Sequence, residues 1–367
     1  MKRSLLFILI GLLFVLPTHG RKREKEEIRN VILLIGDGMG LAHVSMLQIA
    51  EKYAPTAFDR AHNTALIVTR SANNRVTDSS AAGTAIATGH KTNNSVVGLS
   101  PSGERLTSMM EMARDAGRPT GLVVTCHLQH ATPAAFYAHV KHRNKTKEIT
   151  QDLLRSNFDV LIGGGRKYLR EESPEGGSYL EAFQKRGYQV VDTLPAAKKI
   201  RSGRLLCVAA EKMLPRAKGR GDFLPQATKK ALEILSANAK SAKKGFLVMI
   251  EGSQIDHAAH ANNEERILAE MHDFAATINV AMDFADRNSG TLVIVAADHE
   301  TGGLAIPAKK ADFTLAENGL NCIFATKGHS ATMVPVFLYG TGAERIHGVM
   351  DNTQLGKRIM ELLGLKK

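Results

Sequence analysis

One pattern, repeated along the chain, limits the possible folds more than any other feature. A short continuous apolar run stops abruptly at glycine or at a side chain that can handle protons or metals. Val31-Ile32-Leu33-Leu34-Ile35 stops at Gly36-Asp37-Gly38-Met39-Gly40. Gly121–Cys126 leads into a loop that holds His127, His130 and Thr132. Phe246–Ile250 ends in Glu251-Gly252, and Leu292–Ala296 ends in Asp298-His299. Apolar runs of this length without polar alternation read as strands buried on both faces, as in parallel sheets. Ala65–Thr69, Phe158–Ile162, Tyr188–Val191, Leu205–Val208 and Val334–Tyr339 read as further strands. Helical patterns begin near Ala42 and cover Leu106–Ala116, Tyr179–Arg186, Pro225–Asn238, Glu264–Asp286 and Gln354–Leu363. This alternation predicts an α/β fold with a mostly parallel central sheet flanked by helices on both faces. With 367 residues, 44% of them hydrophobic, a sizeable core is assured. No composition break divides residues 28–367, so they read as one domain.

The N-terminus reads as a processing signal. Lys2 and Arg3 precede an apolar run from Leu5 to Leu16, broken by Pro17-Thr18-His19-Gly20. The run is short for a membrane span, so residues 1–20 are expected to be a signal peptide, followed by a charged linker at 21–27. A periplasmic or secreted location follows from that. No later stretch is long and apolar enough to cross a bilayer. The formal charge is +12, and loss of residues 1–20 leaves +10. A basic surface attracts anions, but no nucleic-acid motif is present and aromatics are not interleaved with the basic runs. The three cysteines, Cys126, Cys207 and Cys322, form no CxxC pair, so a thiolate metal site is not expected. Cys126 and Cys207 sit in apolar runs and read as buried small residues. Gly163-Gly164-Gly165 lacks the Lys-Ser/Thr of a phosphate-binding loop and reads as a turn.

The chemistry gathers around Asp78-Ser79-Ser80, followed by small residues through Ala85. Asp and Ser favour helix N-termini, where backbone N–H groups and the helix dipole favour an anion. On its own the stretch is an ordinary helix cap. In a parallel sheet, however, Asp37, the His130–Thr132 loop, Glu251 and Asp298-His299 converge on one carboxyl edge. Buried carboxylates and imidazoles at one place need partners, and a metal satisfies several at once. In Glu251-Gly-Ser-Gln-Ile-Asp256-His257-Ala-Ala-His260, Asp256 and His260 share a helical face. His329, in Gly328-His329-Ser330, is a candidate third ligand, and Asp298-His299 with Asp37 suit a second metal.

These residues closely resemble the alkaline phosphatase family. The matching segments are LLIGDGMG at Leu33–Gly40, VTDSSAAGTA at Val76–Ala85 and HATPAA at His130–Ala135. EGSQIDHAAH at Glu251–His260, AADHETGG at Ala296–Gly303 and GHSATMVPVF at Gly328–Phe337 complete the set, in the family's order. The resemblance implies a phosphate monoester hydrolase with broad substrate range, an alkaline optimum and a common dimeric state. It implies Asp256, His260 and His329 as ligands of one Zn2+, and Asp37, Asp298 and His299 as ligands of a second. Asp37, Thr132 and Glu251 would form a third, Mg2+-type site. Ser79 matches the nucleophile that becomes a phosphoserine, Arg143 the arginine that grips the phosphate, and Asp78 the acid that braces it. His130 and His257 stand where the best-studied bacterial members carry Asp and Lys. Two metals about 4 Å apart suit an in-line displacement, and an arginine fork matches two phosphate oxygens. Larger members place a crown-like subdomain between the residues matching His299 and His329, where this chain leaves little room. Rival readings are a phosphodiesterase or sulfatase of the same superfamily, or an exported metal- or phosphate-binding protein without turnover.

Overall fold

The computed structural model describes residues 27–308 and 320–365. The expected signal peptide and almost all of the charged linker lie outside the described residues. Ten strands form one sheet: β1 (Asn30–Gly36), β2 (Asn63–Val68), β3 (Thr120–His127), β4 (Val160–Gly164), β5 (Tyr188–Val191), β6 (Arg204–Val208), β7 (Leu247–Gly252), β8 (Thr291–Ala297), β9 (Val334–Gly340) and β10 (Gly348–Asp351). Their order is β10-β2-β9-β8-β1-β7-β3-β4-β6-β5. Every pairing is parallel except those of β9, which runs antiparallel to both β2 and β8. All residues of β7 and β8 are buried, as are six of the seven in β1. Both faces of the sheet centre are therefore covered, as the unbroken apolar runs require.

The helices that matter to the site are α1 (Leu41–Ala50), α2 (Ser79–Thr88), α3 (Met109–Asp115), α4 (Ala131–Ala134), α5 (Thr146–Ser156), α6 (Tyr179–Lys185), α7 (Phe223–Ala242), α8 (Gln254–His260), α9 (Glu264–Arg287) and α10 (Asn352–Leu362). Two sequence expectations need correction. The helix expected from Leu106 begins at Met109, because Ser108 caps it and Glu111 closes a capping box. The glycine triplet is not one turn: β4 runs through Gly164, and the chain turns at Gly165 (φ 102°). Lys141, Lys145 and Lys147 are exposed, and the chain then enters α5, whose Ile149, Leu153 and Leu154 are buried at helical spacing.

Register sets the site. Gly36 of β1 pairs with Gly252 of β7 on one side and with Ala297 of β8 on the other. Ile35 and Val124 both pair with Glu251. The residues that follow these pairs, Asp37 and Asp298, therefore leave the sheet at the same edge as Glu251. Beneath them, the fully buried ring of Phe274 on α9 lies against the two paired glycines. A Cβ on Gly252 would stand 2.7 Å from that ring, and one on Gly36 3.1 Å. Glycine at both positions lets the helix seat a large apolar side chain directly under the carboxylates. Burial of such a ring stabilises by about 1.5–3 kcal/mol.

Candidate active site

Asp78 caps α2: its Oδ1 accepts from the Ala81 N–H at 3.0 Å, and its Oδ2 accepts from the Ser95 N–H at 3.0 Å and from the Ser80 hydroxyl at 2.7 Å. All ten residues of the helix are buried, because the Ala-rich sequence leaves no bulk on any face. Ser80 is thus committed to the cap. Ser79, the first helical residue, instead directs its Oγ to within 3.2 Å of His299 Nε2. Of the two adjacent serines, Ser79 meets the His299 imidazole and Ser80 the Asp78 carboxylate.

Two clusters meet there. In one, His299 Nε2 lies 3.3 Å from Asp37 Oδ1 and 3.3 Å from Asp298 Oδ2, with all three side chains fully buried. In the other, Asp256 Oδ1 lies 3.2 Å from His260 Nε2 and 3.5 Å from His329 Nε2, and the two nitrogens are 3.3 Å apart. The rings of His299 and His329 stack at 3.6 Å, joining the clusters. One imidazole nitrogen cannot hydrogen-bond every oxygen around it, so each arrangement fits ligands that converge on a cation. The far nitrogens agree. His329 Nδ1 meets the Thr77 carbonyl at 2.8 Å, and His260 Nδ1 meets the Lys327 carbonyl. A carbonyl only accepts, so each Nδ1 carries a proton and each Nε2 is left facing the site, where it donates to Asp256 when protonated and offers a lone pair to a cation when not. His299 Nδ1 lies 3.2 Å from Thr301 Oγ1, whose hydroxyl donates to Asp256 Oδ1 at 2.6 Å. That leaves the His299 Nε2 lone pair free as well.

Burial and crowding shift these groups. Burial, then the charges of Asp298, Asp256 and Glu251, holds the Asp37 carboxyl well above its ordinary range. Burial raises Asp298 to about 6 and Glu251 to about 7. Burial acts the same way on Asp256, but hydrogen bonds from His260 and His329 outweigh it and hold that group well below its ordinary value. The bond to Asp256 raises His260 to about 9. Both Asp37 oxygens, Glu251 Oε1 and Asp298 Oδ2 have no hydrogen-bond partner. Buried carboxylate oxygens without partners cost several kcal/mol unless a cation satisfies them, so the donor sets fit divalent metals.

A third grouping shares Glu251. Thr132, at the head of α4, is buried with its Oγ1 unpartnered, and the charge of Glu251 helps to raise the Asp37 carboxyl. Cys126, at the end of β3, is drawn in too: its Sγ lies 3.3 Å from Glu251 Oε2, and together with His130 the three form a group with ligand atoms within 4.8 Å of one another. The thiol that sequence spacing excluded as a ligand therefore stands beside two ligand-type side chains. The three cysteines are free, and Cys126 and Cys207 are buried as expected.

Arg143 is aimed inward rather than lying on the basic surface. Its Nη1 lies 3.1 Å from Asp78 Oδ2, and its backbone N–H donates to the Ser95 carbonyl at 2.7 Å. Asp78 thus holds both the helix end and the guanidinium. The rings of His130 and His257 stand edge to face at 6.0 Å, beside the third grouping. The candidate catalytic and metal-ligand residues read from the sequence fall in this one region. Two were missed. Thr301 bonds to Asp256 and faces His299, and its only sequence signal is its place two residues after His299. Gly38 donates its N–H to Asp298 Oδ1 at 3.1 Å, with φ +74° and the Asp256 backbone where a Cβ would stand.

The alkaline phosphatase family model matches residues 28–318. The chain belongs to the alkaline phosphatase family. Alkaline phosphatase 4 of Bacillus subtilis (strain 168) is 36% identical over 336 residues, covering 87% of this chain and 69% of the relative. The alkaline phosphatase of Escherichia coli (strain K12) is 31% identical over 417 residues, covering 93% and 87%. Among solved structures, the alkaline phosphatase from the Antarctic bacterium TAB5 superposes with a TM-score of 0.86 at 35% identity, covering 93% of this chain and all of that one. A variant of the TAB5 enzyme with one histidine replaced by aspartate carries magnesium in its M3 site. Membership makes this chain an enzyme of the alkaline phosphatase type, with the fold expected from its strand pattern.

Proposed function

We propose that residues 28–367 form one catalytic domain that hydrolyses phosphate monoesters through a phosphoserine at Ser79. The observation that carries this reading is the placement of Ser79 Oγ, 3.2 Å from His299 Nε2, between two carboxylate–imidazole clusters at a helix N-terminus. Asp37, Asp298 and His299 would hold one Zn2+, and Asp256, His260 and His329 a second. Asp37, Thr132 and Glu251 would hold a third, Mg2+-type ion, a reading supported by the magnesium in the M3 site of the TAB5 variant. Ions there supply Lewis-acid stabilisation of the oxygens entering and leaving phosphorus and favour a deprotonated serine.

The chain's own groups do the rest. Arg143 binds two non-bridging phosphoryl oxygens with its planar fork, and Asp78 fixes that fork. The N-terminal N–H groups of α2 face the same anion. Ser79 Oγ bonds to phosphorus as the ester P–O bond breaks, and the alcohol leaves with a proton. A water oxygen then displaces Ser79, releasing phosphate and restoring the hydroxyl. His130 and His257 line the phosphate side. Deprotonated oxygen nucleophiles become more abundant as pH rises, which gives an alkaline optimum. Substrates are small phosphate monoesters over a broad range, the enzyme is exported to the periplasm or beyond, and it works as a homodimer. No helix among the described residues is long and apolar enough to cross a membrane.

The test is Ser79→Ala in metal-loaded protein. Phosphate release should fall by at least about a thousandfold, and no phosphoenzyme should be trapped at low pH. Retention of full turnover would remove Ser79 as nucleophile.

A further inference from the structure

Cys126 has no part in the proposed reaction, yet it sits where a ligand would. It is fully buried at the end of β3, with its backbone N–H donating to Ser253 Oγ at 3.1 Å. Its Sγ lies 3.3 Å from Glu251 Oε2, and Sγ, a His130 nitrogen and a Glu251 oxygen all fall within 4.8 Å of one another. Two further observations mark the place as a ligand site. Glu251 is fully buried with Oε1 unpartnered, and His130 Nδ1 is buried without a hydrogen-bond partner. A tetrahedral ion about 2.0–2.3 Å from each donor holds the donors about 3.5 Å apart, so modest side-chain rotation closes the group.

The donor types decide the ion. Magnesium takes oxygen ligands in near-octahedral geometry and dehydrates reluctantly. Thiolate and imidazole select zinc, cobalt or cadmium instead. We propose that Cys126, His130 and Glu251 form a sulfur–nitrogen–oxygen site for a borderline-soft divalent cation of the zinc or cobalt class. This rests on the reading of Glu251 as a metal ligand and changes which ion the third position takes, because the oxygen set Asp37, Thr132 and Glu251 competes for the same carboxylate. Ligation replaces the S–H bond with a sulfur–metal bond and releases the proton to solvent.

A plain structural role competes with ligation: the thiol could serve only as a hydrogen-bond donor to Glu251. Cys126→Ser separates the two, because a hydroxyl keeps the donor at nearly the same shape and removes the sulfur. Metal-stripped protein would be reloaded with Co2+ alone, its metal content counted by mass spectrometry and its near-ultraviolet spectrum recorded. A Cys207→Ser/Cys322→Ser protein serves as the background in which Cys126 is the single thiol. An intense thiolate-to-cobalt charge-transfer band should accompany the third equivalent, persist in that background and vanish in Cys126→Ser. In competition, Cys126→Ser should shift the third position from Zn2+ towards Mg2+ by at least about tenfold. A third equivalent bound without the band, or an unchanged zinc–magnesium preference, overturns the proposal while leaving the metalloenzyme reading intact. Failure to take up cobalt at any position overturns both. If Cys126→Ser does not fold, the presence or absence of the band in the Cys207→Ser/Cys322→Ser protein decides alone.

Discussion

Asp78 offers the sharpest test of how the active-site helix is held, because one carboxylate serves two ends. Oδ1 accepts from the Ala81 N–H; Oδ2 accepts from the Ser95 N–H, Ser80 and Arg143. Asp78→Ala removes all four interactions. Loss of a helix cap costs about 1 kcal/mol. A second backbone donor left without its charged acceptor adds about 1–3 kcal/mol, so roughly 2–4 kcal/mol should disappear. Asp78→Asn keeps an oxygen for the cap but loses the negative charge and the second acceptor facing Arg143. Its stability loss should be near 1 kcal/mol. Activity should not follow stability. Arg143 loses its brace in both variants, and a misplacement of about 1 Å costs on the order of a hundredfold. Denaturant unfolding and kcat/KM on a small aryl phosphate, each with metal-loaded protein, separate the two effects. Equal stability of the Ala and Asn variants would refute the cap. Wild-type kcat/KM in Asp78→Asn would refute the brace.

Two further outcomes follow from the buried charges. Glu111 accepts from the Ser108 N–H at 2.9 Å and pairs with Arg105 at 2.6 Å and with His139 at 3.3 Å. Burial works against its charge, but these partners win and hold it down to about 2. A depressed carboxyl adds stability above its unfolded value near 4.5 and loses it as pH falls towards 2, here at most about 3 kcal/mol. Glu111→Gln should therefore be less stable than wild type at pH 6, with the gap narrowing below about pH 4.5; a gap constant with pH in urea titrations would contradict this. Chelation should lower Tm as well as abolish activity, because Asp37, Glu251 and Asp298 are left crowded and unpaired. A calorimetric scan unchanged by a strong chelator would show that no ion occupies these clusters.

Much of the site was legible because of where strands end. An unbroken apolar run is a buried strand, and a carboxylate or imidazole placed directly after it must emerge at the sheet edge. Asp37, Glu251, Asp298 and His299 follow from that rule. Asp256 and His260 follow from helical spacing. Arg143 was less legible, since in sequence it is one cation among several at 141–147, and only its 3.1 Å approach to Asp78 distinguishes it. Thr301 and Cys126 carried no signal of their own: a threonine after a histidine and a cysteine in an apolar run are common.

By itself, then, the sequence determined nine of the ten strands of the main sheet, all but β10, together with the chemistry at their ends and the cap at Asp78, because these depend on neighbours within a few residues. The tertiary structure decided everything that needs strand order. It set β8, β1, β7 and β3 side by side, turned β9 antiparallel, and gave Glu251 to Cys126 and His130 as well as to Asp37. It also separated the two serines, committing Ser80 to the cap and bringing Ser79 against a histidine 220 residues away. Contacts across such distances are set by which strands pair and in what register, and no local pattern records that choice.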